Sequence, residues 1–275
     1  IIFEVIILKV KKGEYVTRKS YGNDIVFVVD RIINLKDGNA LAILKGVTFR
    51  VEADAPLQDI EKVDESRVIK SKKEIDKMLI ARINNYKKQT RGVNIKTGRI
   101  LHLDGDRRYS EKSARYYKKL GLNAVVKNVP ERMQAQVVRG LLERYKPDIL
   151  IITGHDAMLK KGISYSNIYN YRNSKNFINT VKEARKWARS SSKLVIFAGA
   201  CQSFFEALID AGADFASSPG RILIDFVDPL IVAEKIATTD RSKFVSGHDI
   251  AKEIKEGEKG INGVGAMGKK QAIFM

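Results

Sequence analysis

The sequence predicts an α/β fold, in which a doubly wound, mostly parallel sheet follows a small β-barrel and a basic helical connector. First, residues 99–275 alternate apolar strands with amphipathic helices, a pattern typical of parallel sheets covered by helices. Second, the strand runs, such as residues 149–152, are continuously apolar, as in strands buried on both faces. Third, residues 14–63 contain short stretches typical of strands around an Asp-Gly turn. Residues 67–91 contain neither Gly nor Pro, which favours a helix.

The first two segments are predicted from these local patterns. Residues 1–66 are predicted to form a β-barrel, SH3-like in size, and its strands are expected at residues 15–17, 25–29, 40–44 and 47–51, with a turn at 37–39. Residues 67–98 are predicted to be a basic helical linker. Apolar residues recur there at helical spacing and predict one helix that ends near Gly92: Ile69, Ile75, Leu79, Ile80, Ile83 and Tyr86.

Residues 99–275 are predicted to form one α/β domain, since about 180 residues can bury a sizeable core. We expect strands at residues 99–103, 124–126, 148–153 and 193–197. We expect helices at residues 110–121, 131–145 and 175–189. A strand, helix, strand crossover normally makes its two strands neighbours, so the carboxyl ends of these strands should meet at one edge of the sheet.

Composition excludes several classes of protein. The chain has 275 residues and one cysteine, which excludes a disulfide framework and zinc sites that need paired thiolates. A reducing compartment, the cytoplasm, is the natural interpretation. The apolar runs are far shorter than the ~20 residues of a membrane-spanning helix, so no span and no signal peptide are expected.

The excess positive charge is concentrated in the connector. The formal charge is +18, yet residues 1–66 carry 10 basic and 11 acidic residues, whereas residues 67–98 carry 10 basic and 2 acidic ones. We interpret the connector as a solvated basic helix. An anionic partner stays open as an alternative, although the near-neutral barrel favours docking to protein over nucleic acid.

Residues able to do chemistry follow three predicted strands, at the edge where open parallel sheets bind ligands. Asp104 and Asp106 follow one strand, His155 and Asp156 another, and Cys201 a third. Since one crossover separates the last two strands, we expect His155 and Cys201 to form a dyad, in which the imidazole takes the thiol proton and leaves a thiolate nucleophile. A small buried hydrophobic residue is the structural alternative for Cys201.

Four blocks of sequence carry a resemblance: Leu-His-Leu-Asp-Gly-Asp at 101–106, Pro-Asp-Ile-Leu-Ile-Ile-Thr-Gly-His-Asp at 147–156, Phe-Ala-Gly-Ala-Cys-Gln-Ser at 197–203 and Ala-Gly-Ala-Asp-Phe-Ala-Ser-Ser-Pro at 211–219. The order of a strand ending in His and a strand ending in Ala-Cys resembles the caspase-like cysteine peptidases, the group of caspases, legumain, clostripain, gingipain and separase. More closely, the blocks resemble the YabG family of sporulation-specific peptidases of endospore-forming bacteria. The likeness extends over the whole chain, including residues 18–21 and 42–46.

The resemblance implies a caspase-like sheet and a cysteine endopeptidase with Cys201 as the nucleophile and His155 as the general base. It implies a mother-cell protease that trims spore-coat and cortex-associated proteins, cleaves after basic residues, associates with the forming coat and needs no cofactor. Caspase-like enzymes usually place Gly after the His, whereas here Gly154 precedes His155 and Asp156 follows it. We therefore expect the backbone N–H groups of Asp156 and Cys201 to form the oxyanion hole.

The expected specificity follows from charge at the strand ends. Asp104 and Asp106 would form an acidic pocket that selects Arg, whose planar fork pairs with a carboxylate. The alternative is that Asp-Gly-Asp is ordinary turn chemistry, in which case the pocket would lie elsewhere, near Asp156 or Asp228. Ser217 and Ser218 are further candidates for the lining of the same cleft, or loop formers.

Other interpretations stay open. An amidotransferase-like hydrolase would pair Cys201 with a later histidine, and His248 is the one histidine that follows it. A non-catalytic scaffold would bind a spore surface or nucleic acid through residues 67–98. No metal site is predicted, because His155 with Asp156 lacks the spaced ligands of a catalytic zinc. If basic specificity holds, the Arg107-Arg108 pair and the connector are candidate self-cleavage sites.

Overall fold

The computed structural model describes residues 10–89, 95–159, 164–188 and 194–272. The strands are β1 (Tyr15–Arg18), β2 (Phe27–Asn34), β3 (Ala40–Gly46), β4 (Glu52–Pro56), β5 (Ile60–Lys62), β6 (Ile95–Lys96), β7 (Ile100–Asp104), β8 (Ala124–Asn128), β9 (Ile149–Thr153), β10 (Val195–Ala198), β11 (Phe215–Ser217), β12 (Phe244–Val245), β13 (Ile261–Gly263), β14 (Ala266–Met267) and β15 (Gln271–Ala272). The helices are α1 (Glu65–Gln89), α2 (Arg107–Leu120), α3 (Glu131–Tyr145), α4 (Ser174–Ala188), α5 (Phe205–Asp210), α6 (Asp228–Thr238) and α7 (Gly247–Ala251).

The first sheet is antiparallel, with five strands in the order β4-β3-β2-β1-β5. The predicted turn joins β2 to β3, where Gly38 has a φ of 81° that favours glycine. The strand predicted at residues 47–51 is wrong, because this stretch connects β3 to β4 and makes single bridges from Phe49 to Asp225 and from Val51 to Asp156. SH3-like closure of the sheet into a barrel stays a prediction.

Helix α1 begins at Glu65 and packs against α2. Its apolar face, represented by Ile75, Leu79 and Ile83, is buried in the same core cluster as Tyr116 of α2. The rest of the helix is largely exposed, which agrees with a basic solvated face. Helix α1 is therefore more than a connector, because it also covers part of the second sheet.

The second sheet has six strands in the order β13-β11-β10-β9-β7-β8. The strands from β8 to β11 are parallel, and β13 runs antiparallel to β11 at the edge. Every residue of β7 and β9 is buried, as the apolar run at residues 149–152 predicts for β9; in β7 the burial includes His102 and Asp104.

Helices cover both faces of this sheet. Buried side chains of α1, α2 and α6 form one core cluster, and those of α3, α4 and α5 form another. The α/β prediction is therefore confirmed. None of the helices within the described ranges is both long and apolar enough to cross a membrane.

Candidate active site

The carboxyl ends of three neighbouring strands carry the residues singled out in the sequence. In the register of the sheet, Asp104 at the end of β7 pairs with Thr153 of β9, and Ile152 of β9 pairs with Ala198 of β10. His155 follows β9 by two residues and Cys201 follows β10 by three. The crossover rule thus places both on the same edge, as predicted.

The thiol of Cys201 is fully buried. Its Sγ accepts a hydrogen bond from the N–H of Ile224 over 3.2 Å and lies 3.5 Å from the carbonyl oxygen of the same residue. Burial raises the pKa of the thiol well above its usual value, because a thiolate without water is poorly solvated. In this state Cys201 is a neutral thiol.

The ring of His155 is fully buried as well and stacks on Tyr109, with ring centroids 5.4 Å apart. Its Nε2 lies 3.6 Å from Oδ2 of Asp106, and neither ring nitrogen has a hydrogen-bond partner. Burial lowers the pKa of His155 to about 3, although the charge of Asp106 opposes this. The imidazole is therefore neutral, and no hydrogen bond joins it to the thiol of Cys201.

The two backbone N–H groups expected to form an oxyanion hole point at one oxygen atom. The N–H of Asp156 donates to the carbonyl oxygen of Arg50 over 3.1 Å, and the N–H of Cys201 donates to the same oxygen over 3.2 Å. Arg50 belongs to the connection between β3 and β4. A residue of this connection therefore occupies the position at which these donors converge.

The side chain of Arg50 is fully buried and reaches the carboxyl end of β7. Its Nη1 lies 2.9 Å from Oδ2 of Asp104, and its Nη2 donates to the carbonyl oxygen of Phe226 over 3.2 Å. The guanidinium carbon lies 4.9 Å from the ring centroid of Tyr109 and 5.3 Å from that of Phe226, within cation–π range. Burial alone would raise the pKa of Asp104, but the charge of Arg50 and the imidazole of His102, whose Nε2 lies 3.6 Å away, hold it below its usual value.

The second predicted pocket carboxylate, Asp106, has other partners. It caps α2 by accepting the N–H of Arg108 over 2.8 Å, and it pairs with the guanidinium of Arg108 over 2.5 Å. Burial opposes ionisation, yet the hydrogen bond from Arg108 and the charge of its guanidinium lower the pKa of Asp106. Asp104 thus faces a guanidinium in the cleft, whereas Asp106 lies beside the imidazole.

Ser217 and Ser218 are buried and hold the backbone of the adjoining loops. The hydroxyl of Ser217 donates to the carbonyl oxygen of Ala200 over 2.8 Å. The hydroxyl of Ser218 donates to the carbonyl oxygen of Ile222 over 2.8 Å and accepts the N–H of Gln202 over 3.1 Å. Both serines thereby support the turn that carries Cys201.

The carboxylate of Asp156 ties the loops after β9 and β10 together. Its Oδ2 accepts the hydroxyls of Ser174 over 2.5 Å and Ser203 over 2.8 Å, and its Oδ1 accepts the N–H groups of Ala157 and Asn173. Burial raises its pKa to about 6. The backbone donor of Asp156 is therefore positioned by its own side chain.

Sequence reasoning missed two buried residues at the site. Glu131, the first residue of α3, accepts the N–H of His155 at Oε1 over 2.9 Å, and burial raises its pKa to about 7. A Cβ on Gly154 or Gly105 would come within 2.2 Å of this carboxyl group, which explains the glycine before His155. Arg50 is the other residue, and the predicted preference of the cleft for Arg was the one signal that pointed to it.

The alternative residues lie in different surroundings. The side chain of His248 is 62% exposed, and its Nδ1 lies 2.8 Å from Glu258. Asp228 is buried, burial raises its pKa to about 8, and its Oδ2 accepts the N–H of Asp225 over 3.0 Å. Within the described ranges, no group of three or more His, Cys, Asp or Glu side chains is arranged to hold a metal ion.

A parallel sheet whose strand ends bring a buried thiol, a buried imidazole and converging N–H donors to one edge has the features of an α/β peptidase. The model of the YabG peptidase U57 family matches residues 11–274, so the chain belongs to that family. Sporulation-specific protease YabG of Bacillus subtilis (strain 168) is 36% identical over 275 residues, which cover 93% of this chain and 94% of that protein.

One solved structure is weakly similar. The crystal structure of the receiver domain of the histidine kinase CKI1 from Arabidopsis thaliana, complexed with Mg2+, matches 43% of this chain and 80% of its own. The sequence identity is 17% and the TM-score is 0.28, a similarity that carries no argument. The family and the relative in B. subtilis together make this chain a protease of a sporulation-specific family.

Proposed function

We propose that this protease is a cysteine endopeptidase that cleaves after basic residues, Arg above all, and processes spore-coat and cortex-associated proteins in the mother cell. Cys201 is the nucleophile, His155 is the general base, and the N–H groups of Asp156 and Cys201 form the oxyanion hole. Asp104 is the carboxylate that binds the basic side chain of the substrate. The forming spore coat is the place where the enzyme meets these substrates.

One observation carries the proposal. A single arginine, Arg50, has its carbonyl oxygen on the two proposed oxyanion donors and its guanidinium on Asp104. Oxyanion donors act when they lie about 2.7 to 3.1 Å from the oxygen that becomes charged, and the two distances here are 3.1 and 3.2 Å. The spacing between donors and carboxylate therefore suits an arginine residue on the acyl side of a scissile bond.

The surroundings of the guanidinium favour Arg over Lys. Arg50 uses one nitrogen for Asp104 and another for the carbonyl oxygen of Phe226, while two aromatic rings face its planar group. An ammonium group on a flexible stem cannot reach both acceptors and also stack. The pocket supports a preference for Arg, with Lys as a poorer substrate.

Two finer structural assignments belong to the same proposal. The strand order in the second sheet, β8-β7-β9-β10-β11 with an antiparallel edge strand, corresponds to the doubly wound order 2-1-3-4-5 and supports a caspase-like domain. The first sheet, proposed as an SH3-like module, supplies the residues that reach this site. Ser217 and Ser218 support the cleft from behind through the backbone of its loops.

The test is hydrolysis of fluorogenic peptides with Arg, Lys, Asp, Asn or Ala before the scissile bond. Wild type is compared with Cys201→Ala, His155→Ala and His248→Ala. Before the assay, each protein is incubated until its intact mass no longer changes. We expect cleavage after Arg in wild type and His248→Ala, with at least a thousandfold loss in the other two variants. Activity that survives in His155→Ala but is lost in His248→Ala would identify an amidotransferase-like hydrolase that pairs Cys201 with His248. Absence of hydrolysis in wild type and in all three variants would favour the alternative of a non-catalytic scaffold.

A further inference from the structure

The connection between β3 and β4, residues 46–52, is here named the Arg50 segment. It is a loop that bends at residues 47 and 48 and makes single bridges from Phe49 to Asp225 and from Val51 to Asp156 at the edge of the second sheet. On the amino-terminal side of the Arg50 carbonyl, Phe226 donates its N–H to Thr48 over 2.9 Å, and Arg50 donates its N–H to Ile224 over 3.3 Å. On the other side, Glu52 donates its N–H to the carbonyl oxygen of Asp156 over 3.2 Å. Backbone pairing on both sides of one peptide bond is how an extended peptide is held by strand addition.

The base of the Arg50 segment is closed by a backbone bond from the N–H of Gly46 to the carbonyl oxygen of Val51, 2.9 Å long. The hydroxyl of Tyr109 donates to the carbonyl oxygens of Gly46 and Phe49 over 2.9 and 3.1 Å. The same Tyr109 ring stacks on His155. These contacts hold the segment in a single position between the first sheet and the proposed dyad.

We propose that the Arg50 segment is an internal substrate, and that Cys201 cleaves the bond between Arg50 and Val51 of its own chain. Until then, the segment blocks the cleft against other substrates. This inference rests on the proposed function, because it uses the same nucleophile, oxyanion donors and pocket. It adds a cleavage site and a mode of regulation to them.

The reaction is an ordinary acyl transfer to water. His155 takes the thiol proton, and Sγ of Cys201 forms a bond with the carbonyl carbon of Arg50. The charge that forms on the carbonyl oxygen faces the two N–H donors. The bond to Val51 then breaks, and the nitrogen keeps the electron pair and receives the proton from His155. This step frees the amino group of Val51. Water then hydrolyses the thioester, which leaves Arg50 as a carboxylate and restores the thiol.

Burial supports the blocking role. The side chains of Arg50, Asp104, His155 and Cys201 are all fully buried while the segment is in place, so a second peptide has no access to them. The same exclusion of water raises the thiol pKa and lowers the imidazole pKa. While the segment is in place, the thiol proton is therefore transferred to His155 only as Sγ attacks. Departure of the segment admits water and moves both pKa values back toward their usual ones.

The self-cleavage sites expected from sequence are less suitable. Arg107 and Arg108 lie in the first turn of α2, and the guanidinium of Arg108 is held by Asp106. A helical bond does not offer the extended backbone that strand addition requires. Of the connector, residues 90–94 lie outside the described residues.

The experiment follows full-length wild type and Cys201→Ala by intact mass and amino-terminal sequencing under denaturing conditions. Denaturation is needed because β3 pairs with β4 from Leu41 to Lys45, and this pairing would keep the two fragments together. We expect wild type to give a new amino terminus at Val51, and Cys201→Ala to stay intact. Since Arg50 already occupies its own site, the rate constant should not change over a hundredfold dilution.

Two variants of the segment sharpen the test. Arg50→Lys keeps the charge but not the planar fork, so cleavage should slow by about tenfold or more. Arg31→Gln alters an exposed arginine of β2 paired with Asp30 and should leave cleavage at Val51 unchanged. Fresh wild type should hydrolyse an Arg peptide only after a lag, and the lag should end as the Val51 terminus appears.

The outcomes separate this inference from the proposed function. Hydrolysis of an Arg peptide that depends on Cys201, without any Val51 terminus or lag, would overturn the inference and leave the proposed function standing. A Val51 terminus that forms equally in Cys201→Ala would assign the cleavage to another protease and overturn it as well. If wild type neither cleaves itself nor hydrolyses Arg peptides, the proposed function is overturned, and this inference is overturned with it.

Discussion

The guanidinium of Arg50 and the carboxylate of Asp104 form an ion pair 2.9 Å long, and both side chains are fully buried. The two residues are 54 positions apart in the sequence: Arg50 lies in the connection between β3 and β4 of the first sheet, and Asp104 ends β7 of the second. A buried charge without its partner is strongly destabilising, because the protein interior solvates it poorly. The pair therefore joins the first sheet to the second as well as filling the proposed pocket.

Asp104→Asn is expected to lower the free energy of unfolding by about 3 to 5 kcal/mol, since it leaves Arg50 uncompensated. The measurement is urea unfolding in a Cys201→Ala background, which keeps the chain intact. Adding Arg50→Met should recover most of the loss. Arg107→Gln, which removes an exposed pair with Glu111, should change stability by less than about 1 kcal/mol. If the changes in unfolding free energy of Asp104→Asn and Arg50→Met simply add in the double variant, the two side chains are not coupled.

The two carboxylates at the end of β7 are expected to differ in kinetics. Asp104→Asn should lower kcat/KM for an Arg peptide by about 100-fold or more, because an unpaired guanidinium in a buried pocket loses several kcal/mol. Asp106→Asn should instead move the pH limb that reports His155 to lower pH, since the charge of Asp106 raises the pKa of that imidazole. Arg, Lys and Ala peptides measured from pH 5 to 9 check both expectations. Normal Arg turnover in Asp104→Asn would place the pocket elsewhere, with Asp228 as the next candidate.

Glu131 gives the protein a pH-dependent stability of defined sign. Burial raises its pKa from 4.5 to about 7, so the folded state holds a proton that the unfolded state releases. Its contribution to stability is complete below pH 4.5 and is lost as the pH rises through 7. Glu131→Gln keeps an oxygen for the N–H of His155 but cannot ionise.

Between pH 4.5 and 8, Glu131→Gln should therefore gain stability relative to its parent, by up to about 3 kcal/mol at ~1.4 kcal/mol for each unit of pKa. Urea unfolding at pH 4.5, 6 and 8 in the Cys201→Ala background measures this difference. Glu111→Gln, an exposed counterpart, should run parallel to the parent. Parallel curves for Glu131→Gln as well would show that folding does not raise the pKa of this carboxyl group.

Gly154→Ala tests the contact that aligns His155. The added Cβ would lie 2.2 Å from Oε1 of Glu131, so the carboxyl group must move and release the N–H of His155. We expect kcat to fall by about 10- to 100-fold, as for a misplaced catalytic group. Gly140→Ala is the matched control, because its Cβ meets nothing within 4 Å and should stabilise α3 by about 1 kcal/mol. Equal activity of Gly154→Ala and Gly140→Ala would show that Glu131 does not position His155.

Local patterns sufficed for most elements of the fold. Helix α3 has the bounds predicted for it, and β7, β9 and β10 lie within a residue or two of their expected positions. Apolar continuity and helical spacing are properties of short windows, which is why they are readable before folding. The edge that carries Asp104, His155 and Cys201 followed from one further rule, the adjacency of strands joined by a crossover.

The sequence by itself determined the α/β class, the order of the elements and the set of residues at the strand ends. Only the tertiary structure decided that residues 47–51 leave the first sheet and that Arg50 fills the pocket predicted for a substrate. The physical reason is distance along the chain, since the partners of Arg50 include Asp104 and, 176 residues away, Phe226. An alternating stretch has the same local pattern whether it pairs with its neighbours or with another domain, so the choice is made by packing.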